Sequence, residues 1–326
     1  MERDDVLLRV ENLRMYFPVT AGIFRKRIAD IKAVDGISFS IRRGETLGLV
    51  GETACGKTTT ARSVLRLYKK VTAGKVFFEG RELGKLGNRA LKKMRKRMQM
   101  IFENPYLALD PTMRVRDIIA EPLRIHNLAG GRERKEIVDE LLRMVELEPY
   151  MANRYPDEFS GGQRQRIEIA RAMALRPSFV VCDNPVAHLD VSIQAQVISM
   201  LMKLREEHNL TYLFIAHDLA LVRNISDRVA IMYAGKFMEI ANCDQLFTSP
   251  LSAYTQALLS AVLVPDPSIE RQRRVILLPG ELPSPINPPR GCRFHPRCIR
   301  ATGICQEQEP ELRDVGDEHL VACHHF

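Results

Sequence analysis

A chain of 326 residues with 45% hydrophobic and 27% charged residues has room for one large domain, or for a domain plus an extension. No apolar run approaches the ~18 residues of a bilayer span, and "MERDDVLLRV" lacks the basic-then-apolar order of a secretion signal, so the cytosol is expected. The net charge of +8 is scattered apart from residues 91–100 and 271–274, which reads as a solvated surface beside an anionic partner rather than a nucleic-acid footprint.

In chain order, residues 7–50 read as short strands joined by turns, with alternation in "GISFSI" and a buried parallel strand in "TLGLVG". The next stretch, "GETACGKTT" at 51–59, fits G-x-x-x-x-G-K-[ST] through Gly51, Gly56, Lys57 and Thr58, with Thr53, Ala54 and Cys55 inside the loop. It follows a strand and opens a helix, the setting in which backbone N–H groups wrap a phosphate. Lys57 would neutralise β- and γ-phosphate charge, and Thr58 would offer a hydroxyl to Mg²⁺. From Glu133 to Leu147, apolar residues recur at helical spacing. A second helix starts at "SGGQRQRIEIARAMAL" and stops before Pro177. "FVVCD" and "TYLFIAHD" then read as strands flanking the helix "SIQAQVISMLMKLREEH", which implies a parallel α/β core. After about residue 262, prolines 265, 267, 279, 283, 285, 288 and 289 thin out regular structure. Cys292, Cys298, Cys305 and Cys323 follow, separated by five, six and seventeen residues. In a reducing cytosol four crowded thiols favour a metal over disulfides. The wide gaps suit a [4Fe–4S] cluster better than Zn²⁺; Zn²⁺ and uncoordinated cysteines remain the alternatives.

In "FSGGQRQRIEIARAMAL", Ser160, Gly161 and Gly162 precede a helix whose free N–H groups would face a second phosphate. One chain cannot easily wrap one γ-phosphate with two such ends, so two chains are expected, each presenting this stretch to the other's phosphate loop. The combination resembles the ATP-binding subunits of ABC transporters over about residues 7–260. The extension, with "SAYTQALLSAVLVPDP", "LPGELPSPINPP" and "GCRFHPRC", resembles the dipeptide/oligopeptide importer branch. The resemblance implies an α/β fold: a P-loop NTPase cassette at 1–262 with an antiparallel β subdomain and a helical signature subdomain inserted at about 104–160. A Pro- and Cys-rich extension would occupy 263–326.

Residue by residue, the resemblance implies that Phe17, or else Tyr16, stacks on adenine and that Thr59 lies beside the α-phosphate. Thr58, Glu103 and Asp183 would serve Mg²⁺. Ser160, Gly161, Gly162 and Gln163 would form the signature for the partner's ATP, Asp190 the loop that crosses the dimer, and His217 the γ-phosphate sensor. It further implies a sister ATPase subunit, two membrane-spanning permeases, an extracytoplasmic substrate-binding protein and a peripheral place on the cytoplasmic membrane face. Nucleic acid is not an expected partner. Rival readings are the same machine importing an oligosaccharide or nickel chelate, a soluble ATPase acting on nucleic acid or ribosomes, and an iron–sulfur regulator that only binds nucleotide.

Three positions depart from the family pattern. Asn184 stands where a Glu would polarise the attacking water and accept its proton, Glu103 where Gln is usual, and His188 lies in "AHLD", where "ALD" preceded by Ser is usual. An amide cannot take that proton, and losing a general base costs ~10²–10⁴ in rate. These changes surround one catalytic centre while loop and signature stay intact. The expectation is an asymmetric heterodimer in which this chain contributes the degenerate site and completes its sister's. Glu103 supplying the missing carboxylate is the alternative, as is an Asn184 introduced to trap ATP.

Overall fold

The computed structural model describes residues 5–262 and 275–326. The basic run at 271–274 and prolines 265 and 267 lie outside them. The chain forms two compact units, one of residues 1–42, 46–84 and 216–326, the other of 43–45 and 85–215.

In the first unit, Val6–Ala21 and Lys26–Arg42 pair antiparallel along their length, and Ala73–Phe78 and Arg81–Glu82 extend the sheet. These strands of 16 and 17 residues replace the short strands expected from the sequence. Register shifts at Val10/Leu13 and Met15/Tyr16 reset the alternation, so one continuous strand reads as several. Its buried face carries Leu8, Val10, Leu13, Val34, Ile37 and Ile41.

The same unit holds Thr46–Val50, fully buried and parallel to Arg228–Tyr233, as the apolar run predicts. A Cβ on Gly48 would come 2.6 Å from both Ser226 Oγ and Val222 Cγ1, so only glycine lets the helix Leu219–Ile225 settle so close. Lys236–Asn242 pairs antiparallel with Arg228–Tyr233, and Leu320–Val321 of the C-terminal segment adds to its free edge. Beneath that edge, buried Glu239 accepts from the N–H groups of Leu251 and Ser252 and lies 2.7 Å from His319 Nε2. This pair fastens the segment to the sheet.

In the second unit, Met98–Ile101, Phe179–Asp183 and Thr211–Ile215 form parallel strands, in agreement with the strand–helix–strand pattern. The helix Val191–His208 crosses between the last two. Helices Val115–Ile125 and Gly131–Met144 bury Ile118, Ile119, Leu123, Val138, Leu141 and Leu142. Pro122 sits inside the first of these without ending it. Among the described residues, no helix is long and apolar enough to cross a membrane.

Candidate functional site: phosphate loop, acid strand and signature helix

The phosphate loop leaves the strand Thr46–Val50 and turns into the helix Lys57–Val64. A Cβ on Gly51 would sit 2.0 Å from Met232 O, and one on Gly56, at φ +113°, 2.2 Å from Ala33 O. Both positions therefore exclude any side chain. Lys57 is buried, and its Nζ donates to Gly51 O at 2.7 Å and Glu52 O at 2.9 Å, which folds it back across the loop. Thr53 and Ala54 are exposed at the tip, with Ala54 left-handed at φ 65°. Cys55 is buried; burial raises its thiol pKa, opposed by the Lys57 charge. Thr58 and Thr59 are half-buried in the first helical turn.

In this unit Phe17 is half-buried and packs edge-on against Tyr68, ring centroids 5.4 Å apart. Tyr16, its rival, donates its hydroxyl to Asp35, and burial foremost pushes its pKa up to about 12. His217 is exposed and precedes Asp218, whose carboxylate caps the helix Leu219–Ile225 by accepting from Ala220 N–H at 2.7 Å.

In the other unit, Asp183 ends the strand Phe179–Asp183 and is buried. Asn184 follows at φ 53°, a left-handed conformation that Asn tolerates better than most residues. Its N–H donates to Ile215 O at 2.8 Å, and its side-chain Nδ2 donates to Glu103 Oε1 at 3.3 Å. Two of the three departures from the family pattern thus touch each other. His188 and Asp190 are exposed just before the helix Val191–His208.

Ser160 caps the helix Gly161–Met173: its Oγ accepts from Gln163 N–H at 3.3 Å while Gln163 Oε1 accepts from Ser160 N–H at 3.0 Å. A Cβ on Gly162 would lie 2.6 Å from Ile193 Cγ2. Two turns from Ser160, Glu168 is fully buried and accepts from Phe102 N–H at 2.7 Å, which ties the signature helix to the Glu103 loop. Sequence reading missed Glu168; a carboxylate at a helical position otherwise occupied by core residues was the available signal.

Mg²⁺ keeps several waters and takes one or two protein oxygens beside nucleotide phosphates, so no closed protein cage is needed. The buried, strand-ending carboxylate of Asp183 fits that requirement. The four C-terminal cysteines do not fit theirs as directly. Cys292, foremost through burial and then through Cys305, Cys323 and Cys298, has its thiol pKa pushed up to about 11. All four thiols therefore share one neighbourhood. Yet among the described residues no group of three or more His, Cys, Asp or Glu side chains is arranged to hold a metal. A [4Fe–4S] cluster or Zn²⁺ bound there would take the sulfurs as thiolates and release their protons.

Comparison with known proteins agrees with this geometry. The ABC transporter family matches residues 34–187, and the C-terminal region of oligopeptide/dipeptide transporters matches 238–305. The oligopeptide transport ATP-binding protein AppF of Bacillus subtilis is 52% identical over 321 residues, spanning 98% of this chain and 97% of that protein. OppF of Haemophilus influenzae, also an oligopeptide transport ATP-binding protein, is 45% identical over 322 residues, spanning 98% and 97%. Among solved structures, the ATP-binding cassette MJ0796, a dimer in a post-hydrolysis state with ADP and Pi, superposes with a TM-score of 0.63. It is 27% identical and covers 72% of this chain and 98% of the cassette. The chain belongs to the ATP-binding proteins of ABC transporters, with the C-terminal region of their oligopeptide/dipeptide branch.

Proposed function

We propose that this chain is an ATP-binding subunit that powers import of oligopeptides across the cell membrane, and that it forms the degenerate half of a heterodimeric ATPase. The names of AppF and OppF, at 52% and 45% identity over nearly the whole chain, support the cargo class. The observation that carries the degenerate half is Asn184: a neutral amide beside Asp183, with its Nδ2 spent on Glu103. Gly51, Gly56 and Lys57 keep the features of a phosphate loop, and Ser160 keeps its cap.

In this reading Lys57, Thr58 and Thr59 bind the phosphates, Asp183, Thr58 and Glu103 serve Mg²⁺, and Phe17 receives adenine because Tyr16 is committed to Asp35. His217 senses the γ-phosphate. Mg²⁺, when bound, would offset phosphate charge. Asn184 would orient a water without accepting its proton, so turnover here is slow. Ser160, Gly161, Gly162 and Gln163, with Asp190, complete the sister subunit's site. Two permeases, an extracytoplasmic binding protein and the cytoplasmic membrane face complete the assembly. A [4Fe–4S] cluster or Zn²⁺ in the extension is supported by the gathering of four thiols; iron and zinc analysis of anaerobically prepared protein tests it. Nickel-chelate or oligosaccharide cargo would appear as import by the same complex that oligopeptides do not compete.

A second reading follows from the 3.3 Å contact: the Glu103 carboxylate stands in for the missing acid at Asn184. Glu103→Gln separates the two. With the sister subunit's catalytic acid removed, the degenerate-site reading predicts that the residual turnover changes less than about threefold. If Glu103 is the base, this chain's contribution falls by ~10²–10⁴.

A further inference from the structure

We propose that Arg297, in the C-terminal cysteine segment, positions the phosphate loop and neutralises a carboxylate within it, so that ATP affinity of this chain depends on a segment outside the cassette core. The inference rests on ATP binding at this loop.

Arg297 lies in the short 3₁₀ turn His295–Arg297, between Cys292 and Cys298, and is 9% exposed. Its Nη1 donates to both carboxylate oxygens of Glu52, at 3.1 and 2.9 Å, and its Nε donates to Pro279 O at 3.1 Å. Glu52 is the second residue of the phosphate loop. Its backbone N–H donates to Tyr254 Oη at 3.1 Å, and its carbonyl accepts from Lys57 Nζ at 2.9 Å. One residue thus links Arg297 by its side chain to the phosphate-binding lysine by its backbone.

The same segment grips a second support of the loop. Arg293, also buried, donates to Asp35 and to Ala234 O. Asp35 N–H donates to Gly235 O at 2.9 Å, and Gly235 N–H donates to Cys55 O at 2.8 Å. Asp35 accepts from Tyr16 as well. Between the two arginines, Phe294 packs against Tyr233 and Tyr254, ring centroids 5.2 Å apart in each case. The segment therefore touches the phosphate loop through Glu52, through Tyr254 and through the turn at Gly235.

Electrostatics explain why an arginine stands there. A carboxylate in a loop that receives a polyphosphate repels its ligand, and in a partly buried site little water screens that repulsion. Arg297 cancels the charge and fixes the side chain that carries it. Without the arginine, Glu52 keeps its charge and loses its anchor, and both changes oppose binding.

The test is equilibrium binding of a fluorescent ATP analogue with Mg²⁺ to the full-length chain, alongside hydrogen exchange of residues 51–57 without nucleotide. Arg297→Ala should raise the dissociation constant about tenfold, equivalent to ~1.4 kcal/mol, and speed exchange in the loop. Arg297→Lys should retain most of the affinity, since a single donor group contacts both oxygens. Adding Glu52→Gln to Arg297→Ala should recover affinity to within about threefold of wild type, by removing the unpaired charge. A merely structural staple predicts otherwise: Arg297→Ala would lower the melting temperature while leaving affinity and loop exchange unchanged. That result, or a double variant that binds no better than Arg297→Ala, overturns the proposal. Both readouts concern binding and the loop alone, so the fate of the degenerate-site reading, which concerns turnover, does not enter.

Discussion

Replacing Glu168 by Gln should stabilise the protein at pH 8 and barely change it at pH 4. Glu168 is fully buried in the signature helix; one oxygen accepts from Phe102 N–H at 2.7 Å and the other is buried without a hydrogen-bond partner. Burial, opposed by that N–H and by Arg171, raises its pKa from 4.5 to about 7. Below pH 4.5 the folded and unfolded chains both hold the proton and the group costs nothing. Between 4.5 and 7 the unfolded chain releases it while the folded chain keeps it, so stability falls as pH rises. Above 7 the loss is complete, ~3 kcal/mol at about 1.4 kcal/mol per tenfold change in proton affinity. Gln keeps an oxygen for Phe102 N–H and has no charge to lose. Urea denaturation of variant and wild type at pH 4, 6 and 8 should show a difference that grows with pH. A difference of equal size at all three would refute the titration argument.

His319→Ala should cost ~3 kcal/mol, because Glu239 stays buried with only two N–H donors. A lowered melting temperature and faster exchange at Ala322, whose N–H donates to Met238 O, would register it. Gly56→Ala forces a Cβ to within 2.2 Å of Ala33 O at φ +113° and should lower ATP affinity more than tenfold in a binding assay. Ser160→Ala removes the cap on Gln163 N–H and should cost ~1 kcal/mol in thermal unfolding, with a larger effect on turnover of the complex than on this chain's own ATP binding.

What was legible in the sequence is what local chemistry dictates. The spacing of Gly51 and Gly56 marks a phosphate loop, where backbone oxygens stand in the way of any Cβ, and Ser160 with its two glycines marks the start of a helix that Ser160 caps. The strand, helix and strand from Phe179 to Ile215 announce themselves by composition. Pairings across long separations were silent. Glu52 and Arg297 are 245 positions apart, and neither residue alone looks unlike an ordinary surface charge. The contact of Asn184 with Glu103 required a fold to bring two loops together, although both residues had been singled out as departures. The cysteine count raises the question of a shared centre, but spacing alone does not determine whether four sulfurs converge on one point.

The central claim, that this chain's own site is slow because Asn184 cannot take a proton, is tested most directly by ATP hydrolysis in the assembled transporter carrying Asn184→Glu. The measurement should be made with the sister subunit's catalytic acid intact and again with it removed. The account predicts less than a twofold rise from Asn184→Glu, and loss of nearly all turnover when the sister's acid is removed. A rise of twofold or more, or substantial turnover without the sister's acid, would contradict it.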